Sequence, residues 1–455
     1  MTAKAGDRAV VLGASMAGLL AARVLADAYD EVCIVDRDVV RGVVGARRGV
    51  PQGRHVHGLL ARGQRILDEL FPGFTEHAMA AGVPTGDLGE LRWFFNGRRL
   101  SPGRTGLTCV SAARPVLEAM VRDRVTEMTA IRLLDGHGIE SLCLDEGNRR
   151  VTGARLRREA DGEIVELPAD LVVDATGRGS RTPVWLADWG YERPAEERVA
   201  IGLSYTTRRY RLRDERILGG DLSINPVSSP SHPRGAFFSR IENGQCMVSL
   251  TGVLGDSAPT DPDGFLEFAK SLPVPDVYDV LREAEPLDEP VLFRYPASIR
   301  RRYDRLSRFP AAMIVLGDAA CSFNPVYGQG MTVAAMEALV LRDSLRQDGG
   351  PAAAGFHRSI ARVIDLAWNI SASGDLGFPG VPGPRPLKVR VGNAYLARLQ
   401  AAAVRSGAVT RTFMRVAGLV DPPQALMYPG TVMRVLRYGS RVPSPGSAVA
   451  TVATQ

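Results

Sequence analysis

Apolar and polar positions fall into strand-like and helix-like periods along the chain. Arg8-Ala9-Val10-Val11-Leu12 reads as a strand and Gly13 to Gly18 as a turn. Leu19 to Ala28 carries helix formers, and Glu31 to Asp36 closes a second strand. Residues 151–177 predict a hairpin turning at Asp161-Gly162, then a buried strand, Leu171-Val172-Val173. Residues 201–253 are rich in alternating β formers. Within them, Glu242-Asn243-Gly244-Gln245 separates Ala236–Ile241 from Cys246–Thr251 as a hairpin connection. Ala312 to Leu316 repeats the strand, a glycine loop runs through Gly330, and a helix is predicted from Met331 to Leu345. Residues 349–355 and 374–386, rich in Gly, Pro and Ala, are expected to be loops or linkers. Helical periodicity follows, and the tail from Pro443 is expected to fray. This order predicts an α/β fold, with a Rossmann-like parallel sheet built from the terminal parts and an antiparallel sheet inserted between them.

Composition narrows the class. With 45% hydrophobic and 23% charged residues, the 455-residue chain is globular rather than disordered. No apolar run approaches the ~18–20 residues of a membrane span. A strand almost at the first residue predicts no signal peptide, hence a cytoplasmic location. Cys33, Cys109, Cys143, Cys246 and Cys321 are odd in number and form no Cys-x-x-Cys pair, so neither a disulfide scaffold nor a metal site is expected. The net charge of +6 reads as spread over the chain. Arg300-Arg301-Arg302 with Arg305 and Arg308 reads as a solvated face, and no nucleic-acid surface is expected.

Gly13-x-Ser15-x-x-Gly18, between a strand and a helix, is a dinucleotide fingerprint with serine at its second position. Ser15, Met16 and Ala17 open a helix whose N-terminus suits a pyrophosphate. Asp36, 23 residues beyond Gly13, is placed to accept from ribose hydroxyls. The neighbouring Arg37 could instead hold a 2′-phosphate, so this motif alone leaves FAD and NADP open.

A second glycine loop reads Gly317-Asp318-Ala319-Ala320, then Asn324-Pro325-Val326-Tyr327-Gly328-Gln329-Gly330-Met331. Together the two loops resemble the class A flavoprotein monooxygenases of the para-hydroxybenzoate hydroxylase fold. Val50-Pro51-Gln52, Arg54-His55-Val56-His57 and Asp174-Ala175-Thr176-Gly177-Arg178-Gly179-Ser180 bring the resemblance nearest to bacterial polyether and terpenoid epoxidases such as the monensin and lasalocid epoxidases. It covers roughly residues 8–340. Gln329 departs from it, standing where the polyether enzymes carry histidine.

The resemblance implies FAD, with Asp318 on the ribityl hydroxyls and Pro325, Gly328 and Gly330 close to the isoalloxazine. It implies that the helix from Met331 faces the flavin N1–C2=O edge. Asp174 and Gly177 would support the flavin, Arg114 its phosphates or ribityl chain, and Arg54 its underside. The implied division is an FAD-binding domain in three segments (1–90, 108–198 and 299–373) and a substrate part (strands in 91–107 and a sheet over 199–298). A C-terminal helical region and tail, 374–455, completes it. The implied activity is NAD(P)H-dependent monooxygenation, through a flavin C4a-hydroperoxide, of an apolar substrate of secondary metabolism or antibiotic biosynthesis. That substrate would be an alkene or a ring. Electrons would come from NAD(P)H directly or through a flavin reductase. The alternative is a flavin-dependent dehydrogenase or reductase of a prenyl-like lipid.

Pocket candidates are His57 (a donor or acid, or a structural hydrogen-bonding group), Tyr327 and Pro325. Tyr205, Phe237, Phe238, Met247 and Leu250 on the inserted sheet are expected to offer an apolar surface. The lysines Lys4, Lys270 and Lys388 lie outside every motif, which argues against a halogenase relay. The stretch from about 387 to 437 mixes apolar residues with basic ones. It reads either as a layer that packs on the FAD domain and closes the pocket, or as a basic amphipathic surface for lipid or a carrier protein.

Overall fold

The computed structural model describes residues 4–346 and 351–439; the expected fraying from Pro443 lies outside the described residues. At the centre is a five-stranded parallel sheet. Its strand order is Met313–Val315, Leu171–Asp174, Gly6–Leu12, Tyr29–Val35, Ile131–Leu134. Ala9 to Leu12 and Val32 to Val35 are buried without alternation, because helices cover the sheet. Helix Met16–Leu25 packs against helix Gly330–Leu345, so the two glycine loops that precede them meet. Both helices begin slightly earlier than the periodicity alone indicates, since Ser15 and Gln329 are their N-caps. The expected linker residues 353–355 and 374–375 are helical, within Ala353–Asp375; residues 349–350 lie outside the described residues.

The inserted sheet has Leu203–Arg211, Gln245–Gly252, Arg234–Arg240 and Ser223–Val227 in sequence, extended by Arg92–Phe95 and Arg98–Arg99. Strand alternation gives it two unlike faces. The rear face, with Phe238, Leu250, Val248 and Ile224, is sealed by helices Pro262–Lys270 and Asp276–Leu281 around Phe265 and Val277. Phe238 and Leu250 therefore belong to a closed core and not to a substrate surface. The opposite face presents Tyr205, Phe237 and Met247 among Thr207, Ser249 and Thr251, and is more polar than expected.

Helices Leu387–Ala403, Gly407–Ala417 and Pro429–Tyr438 form a further layer. Leu399, Ala402, Val409, Phe413 and Val435 pack on Ala61, Leu88, Leu100 and Leu107, with Trp93 and Phe95 at the edge. Two charge expectations need correction. Arg300, 3% exposed, pairs with Asp365 at 2.7 Å, and Arg302 pairs with Glu197 and Asp304, because this run forms the middle of a small sheet. Only Arg305 and Arg308 of the cluster are exposed. Nor is the net charge evenly spread: residues 387–438 hold eight basic residues and one acid, Asp421, a net of +7 against +6 for the whole chain. No helix among the described residues is long and apolar enough to cross a membrane.

Candidate functional site

The site is built where three loops converge at the ends of the parallel strands. Gly13 has φ +105°, and a Cβ there would meet the carbonyl oxygen of Ala175 at 2.6 Å. A Cβ on Gly18 would lie 1.8 Å from the Gly13 oxygen, so the tight crossing of turn and helix requires glycine. Gly317, at φ +65°, sits against Ala17 of the first loop, where a Cβ would approach to 2.7 Å. Arg301 donates to the carbonyls of Ala319 and Arg178, tying the second and third loops together.

At the first loop the open N-terminus of helix Met16–Leu25 has no side-chain cap. Met16 is buried at its start. The Ser15 hydroxyl donates to Glu118 Oε2 at 2.8 Å and accepts from Arg114 at 3.2 Å. Asp36 accepts from the Ala14 amide at 2.8 Å and pairs with Arg47 at 3.0 Å; Arg47 also reaches Glu118 at 2.7 Å. Burial opposes the Arg47 charge, but Glu118 and Asp36 raise its pKa overall. Arg37 is exposed. Arg114, at the first turn of helix Arg114–Thr126, is largely buried; its Nε faces Glu118 Oε2 at 3.8 Å but makes no hydrogen bond among the described residues.

Asp318 is the centre of the second loop. It accepts no hydrogen bond from the described residues, and burial raises its pKa against the opposing pull of Arg114 and Arg178. Tyr205 and Tyr295 feel its charge, and Arg178 stacks on Tyr295 at 4.4 Å. Gly330 lies alongside, a Cβ there being 3.8 Å from Asp318 Oδ1. Met331 is buried behind it in the first turn of the uncapped helix Gly330–Leu345. Gly328, at φ +64°, would bring a Cβ to 3.7 Å from Gly58 Cα, so the chain at Gly58 borders the same space. Pro325 starts the short helical turn of this loop, and Asn324 caps it by accepting from the Val326 amide.

Other residues are placed differently from their expected roles. Asp174 accepts from Ser180 and Thr182 hydroxyls at 2.5 Å and from the Thr176 amide and hydroxyl, so both its oxygens are taken up by its own loop. It shapes the turn at Gly177, which faces open space at φ +78°. The Tyr327 hydroxyl donates to Asp375 Oδ1 at 3.2 Å, which turns it toward helix Ala353–Asp375. His57 Nδ1 donates to the His55 carbonyl at 2.8 Å, and burial, helped by Arg114, lowers its pKa to about 3. It is therefore neutral, with Nε2 available only as an acceptor, and is not an acid. His55 is a core residue, neutral through burial, joined to Thr207 at 2.7 Å and thence to Ser249. Arg54 is exposed and lines a neighbouring cavity of about 690 Å³. That cavity lies between residues 44–54, 113–116 and the paired strands at Thr207–Arg209 and Met247, and Asp318 and Gly328 do not line it.

Four residues were not anticipated. Arg178 stands next to Gly177 in a recognisable motif, whereas Arg47, Glu118 and Asp375 carry no local signal. Asp375 accepts from Asn324 Nδ2 at 2.8 Å, its Oδ2 has no partner, and burial raises its pKa to about 7. FAD fits the arrangement on three counts: a half-buried carboxylate that accepts no hydrogen bond from the described residues, the charge of Arg114, whose Nε makes no hydrogen bond among them, and loops that only glycine permits.

No family model matches the chain. Protein Rv3254 of Mycobacterium tuberculosis is 35% identical over 440 residues, 92% of each chain. Kynurenine 3-monooxygenase of Salinispora arenicola is 27% identical over 372 residues, 76% of this chain and 74% of that one. The crystal structure of a flavoprotein/dehydrogenase from Cytophaga hutchinsonii superposes with a TM-score of 0.68 at 15% identity, covering 95% of this chain and 98% of that one. The chain belongs to the family of Protein Rv3254, and its fold is that of the FAD-dependent monooxygenases and related flavoproteins.

Proposed function

We propose that the chain is an FAD-dependent monooxygenase acting on an apolar small molecule. It would place one atom of O2 in an alkene or ring, and the other would leave as water with electrons from NAD(P)H, taken directly or through a flavin reductase. The observation that carries this reading is Asp318, a half-buried carboxylate that feels the charges of Arg114 and Arg178 and accepts no hydrogen bond from the described residues. Such a group is costly unless a ligand supplies donors, and ribityl hydroxyls are donors of that kind.

Gly13, Gly18 and the helix start at Met16 would hold the pyrophosphate, with Arg114 as its counter-charge. Asp36 would hold the ribose by leaving part of its Arg47 pairing. Gly328 and Gly330 would admit the ring, and the first-turn amides beyond Gly330 would stabilise negative charge on it. Reduced FAD supplies the oxygen-activating chemistry. The protein's part is to orient and to exclude water. Tyr205 and Phe293 pack around His55 at 4.6 and 5.5 Å, and His57 offers one acceptor without a titrating proton at neutral pH. An epoxidase and a hydroxylase would use this frame alike.

The purified protein should release FAD on heating. With ¹⁸O2, its product should carry one labelled atom; unlabelled dehydrogenated product would transfer the case to a dehydrogenase. Asp318→Ala should lose most of its flavin, since a charge-assisted hydrogen bond is worth ~1.5–3 kcal/mol, whereas Asp161→Ala on an exposed turn should keep it. Equal flavin content in both would remove the assignment.

A further inference from the structure

The outer side of the C-terminal layer differs from the rest of the surface. Leu387, Val391, Met433 and Leu436 are exposed at 72, 59, 70 and 67%, and Met427 and Tyr428, in the connection before the last helix, at 59 and 57%. These six make up nearly half of the large hydrophobic residues found exposed among the described ones. Leu387 and Val391 are one turn apart on helix Leu387–Ala403; Met433 and Leu436 share a face of helix Pro429–Tyr438. Lys388 and Arg390 flank the first pair, and Arg434 and Arg437 the second, all four exposed. The single acid of this stretch, Asp421, is neutralised by Arg415 at 2.7 Å. The inner side of the same helices is already buried on Leu88, Leu100 and Leu107, so the outward apolar residues are surplus to the fold.

We infer that helices Leu387–Ala403 and Pro429–Tyr438 dock the protein on an anionic lipid surface. Protruding apolar side chains flanked by cationic ones that pair with no acid among the described residues match the boundary between acyl chains and anionic headgroups. The inference deepens the proposed reading, on which it rests for its purpose: an apolar substrate dissolves in the bilayer, and docking brings the enzyme to it. An acidic carrier protein would share the charge complementarity. It would not call for side chains that protrude from convex helices, which suit a deformable hydrocarbon phase.

The test uses the full-length flavin-loaded protein with vesicles of phosphatidylcholine, with and without phosphatidylglycerol. Co-sedimentation is expected with the anionic vesicles and not with the neutral ones. Met433→Glu combined with Leu436→Glu should abolish it, and Arg434→Gln with Arg437→Gln should weaken it by about five-fold per charge. Both double variants should keep their flavin, because these residues lie on the outside. Absence of binding, equal binding to both vesicle types, binding that survives both variants, or binding only to an acidic carrier protein overturns the inference. So does binding that appears only after residues 440–455 are removed, since the chain's own tail would then be the occupant. Flavin absorbance on the same samples separates the two readings: a yellow protein that ignores vesicles refutes docking alone, and a colourless one that binds them refutes the oxygenase.

Discussion

Asp375 is a carboxyl group in a place where charge is costly. Asn324 and Tyr327 donate to one oxygen, and among the described residues no hydrogen bond reaches the other and no cation acts on it. Its pKa of about 7 compares with about 4 in an unfolded chain. Below pH ~4 the group is protonated in both states. Between pH ~4 and 7 the unfolded chain releases the proton and the folded one keeps it, so stability falls as pH rises through that window and is level above it. Asp375→Asn preserves the acceptor and removes the titration. Its stability relative to the parent should therefore grow from near zero at acid pH to at most about 4 kcal/mol above pH ~7. Urea unfolding of both proteins at about pH 5 and about pH 8 checks this; a difference that does not change with pH would place the Asp375 pKa near its ordinary value.

The contact between helix Ala353–Asp375 and the glycine loop at 324–330 depends on a missing methyl group. A Cβ on Gly374 would lie 2.1 Å from the Tyr327 hydroxyl. Gly374→Ala should therefore push Tyr327 off Asp375 and shift the loop that borders the candidate oxygenation site. If turnover is oxygenative, the variant should keep FAD but divert NAD(P)H oxidation toward H2O2, read as peroxide formed per product. Unchanged coupling would detach this helix from the chemistry. The two fingerprint loops were legible because a turn that only glycine can make leaves a local mark: Gly13, Gly18, Gly317 and Gly328 each occupy a strained or crowded backbone position. The network behind them was not. Asp375 meets Tyr327 across 48 residues and Asn324 across 51, and Arg47 meets Glu118 across 71, so no periodicity could join them. The motif shows a carboxylate at Asp174 and so suggests support for the flavin. That its own loop holds four donors for it becomes visible only once Ser180 and Thr182 fold back.

At the scale of the whole molecule, the C-terminal layer answers to two surfaces. Its inner side completes a core with Leu88, Leu100, Leu107, Trp93 and Phe95, at about 25 cal/mol per Å² of apolar area removed from water. A chain ending at Pro386 should expose that patch, bind an apolar dye and self-associate in size-exclusion chromatography. A monodisperse, dye-silent truncation would show that the parallel and inserted sheets close their cores without these helices. The same layer holds more net positive charge than the entire chain, which leaves the remainder slightly acidic.

Burial of the cysteines bears on how such a molecule ages. Burial pushes Cys33 up to about 11 and Cys109 and Cys246 up to about 12, and Cys143 and Cys321 are also raised, so all five stand as thiols rather than reactive thiolates. Peroxide leaking from imperfect turnover then meets no good sulfur nucleophile in the interior, and oxidative damage passes to the thioethers in contact with solvent. Met427 and Met433 are foremost among these, and both belong to the basic apolar surface. A sulfoxide is polar and hydrated. An old enzyme would therefore lose its grip on lipid before it lost its fold, and the first sign of wear would be a change of address.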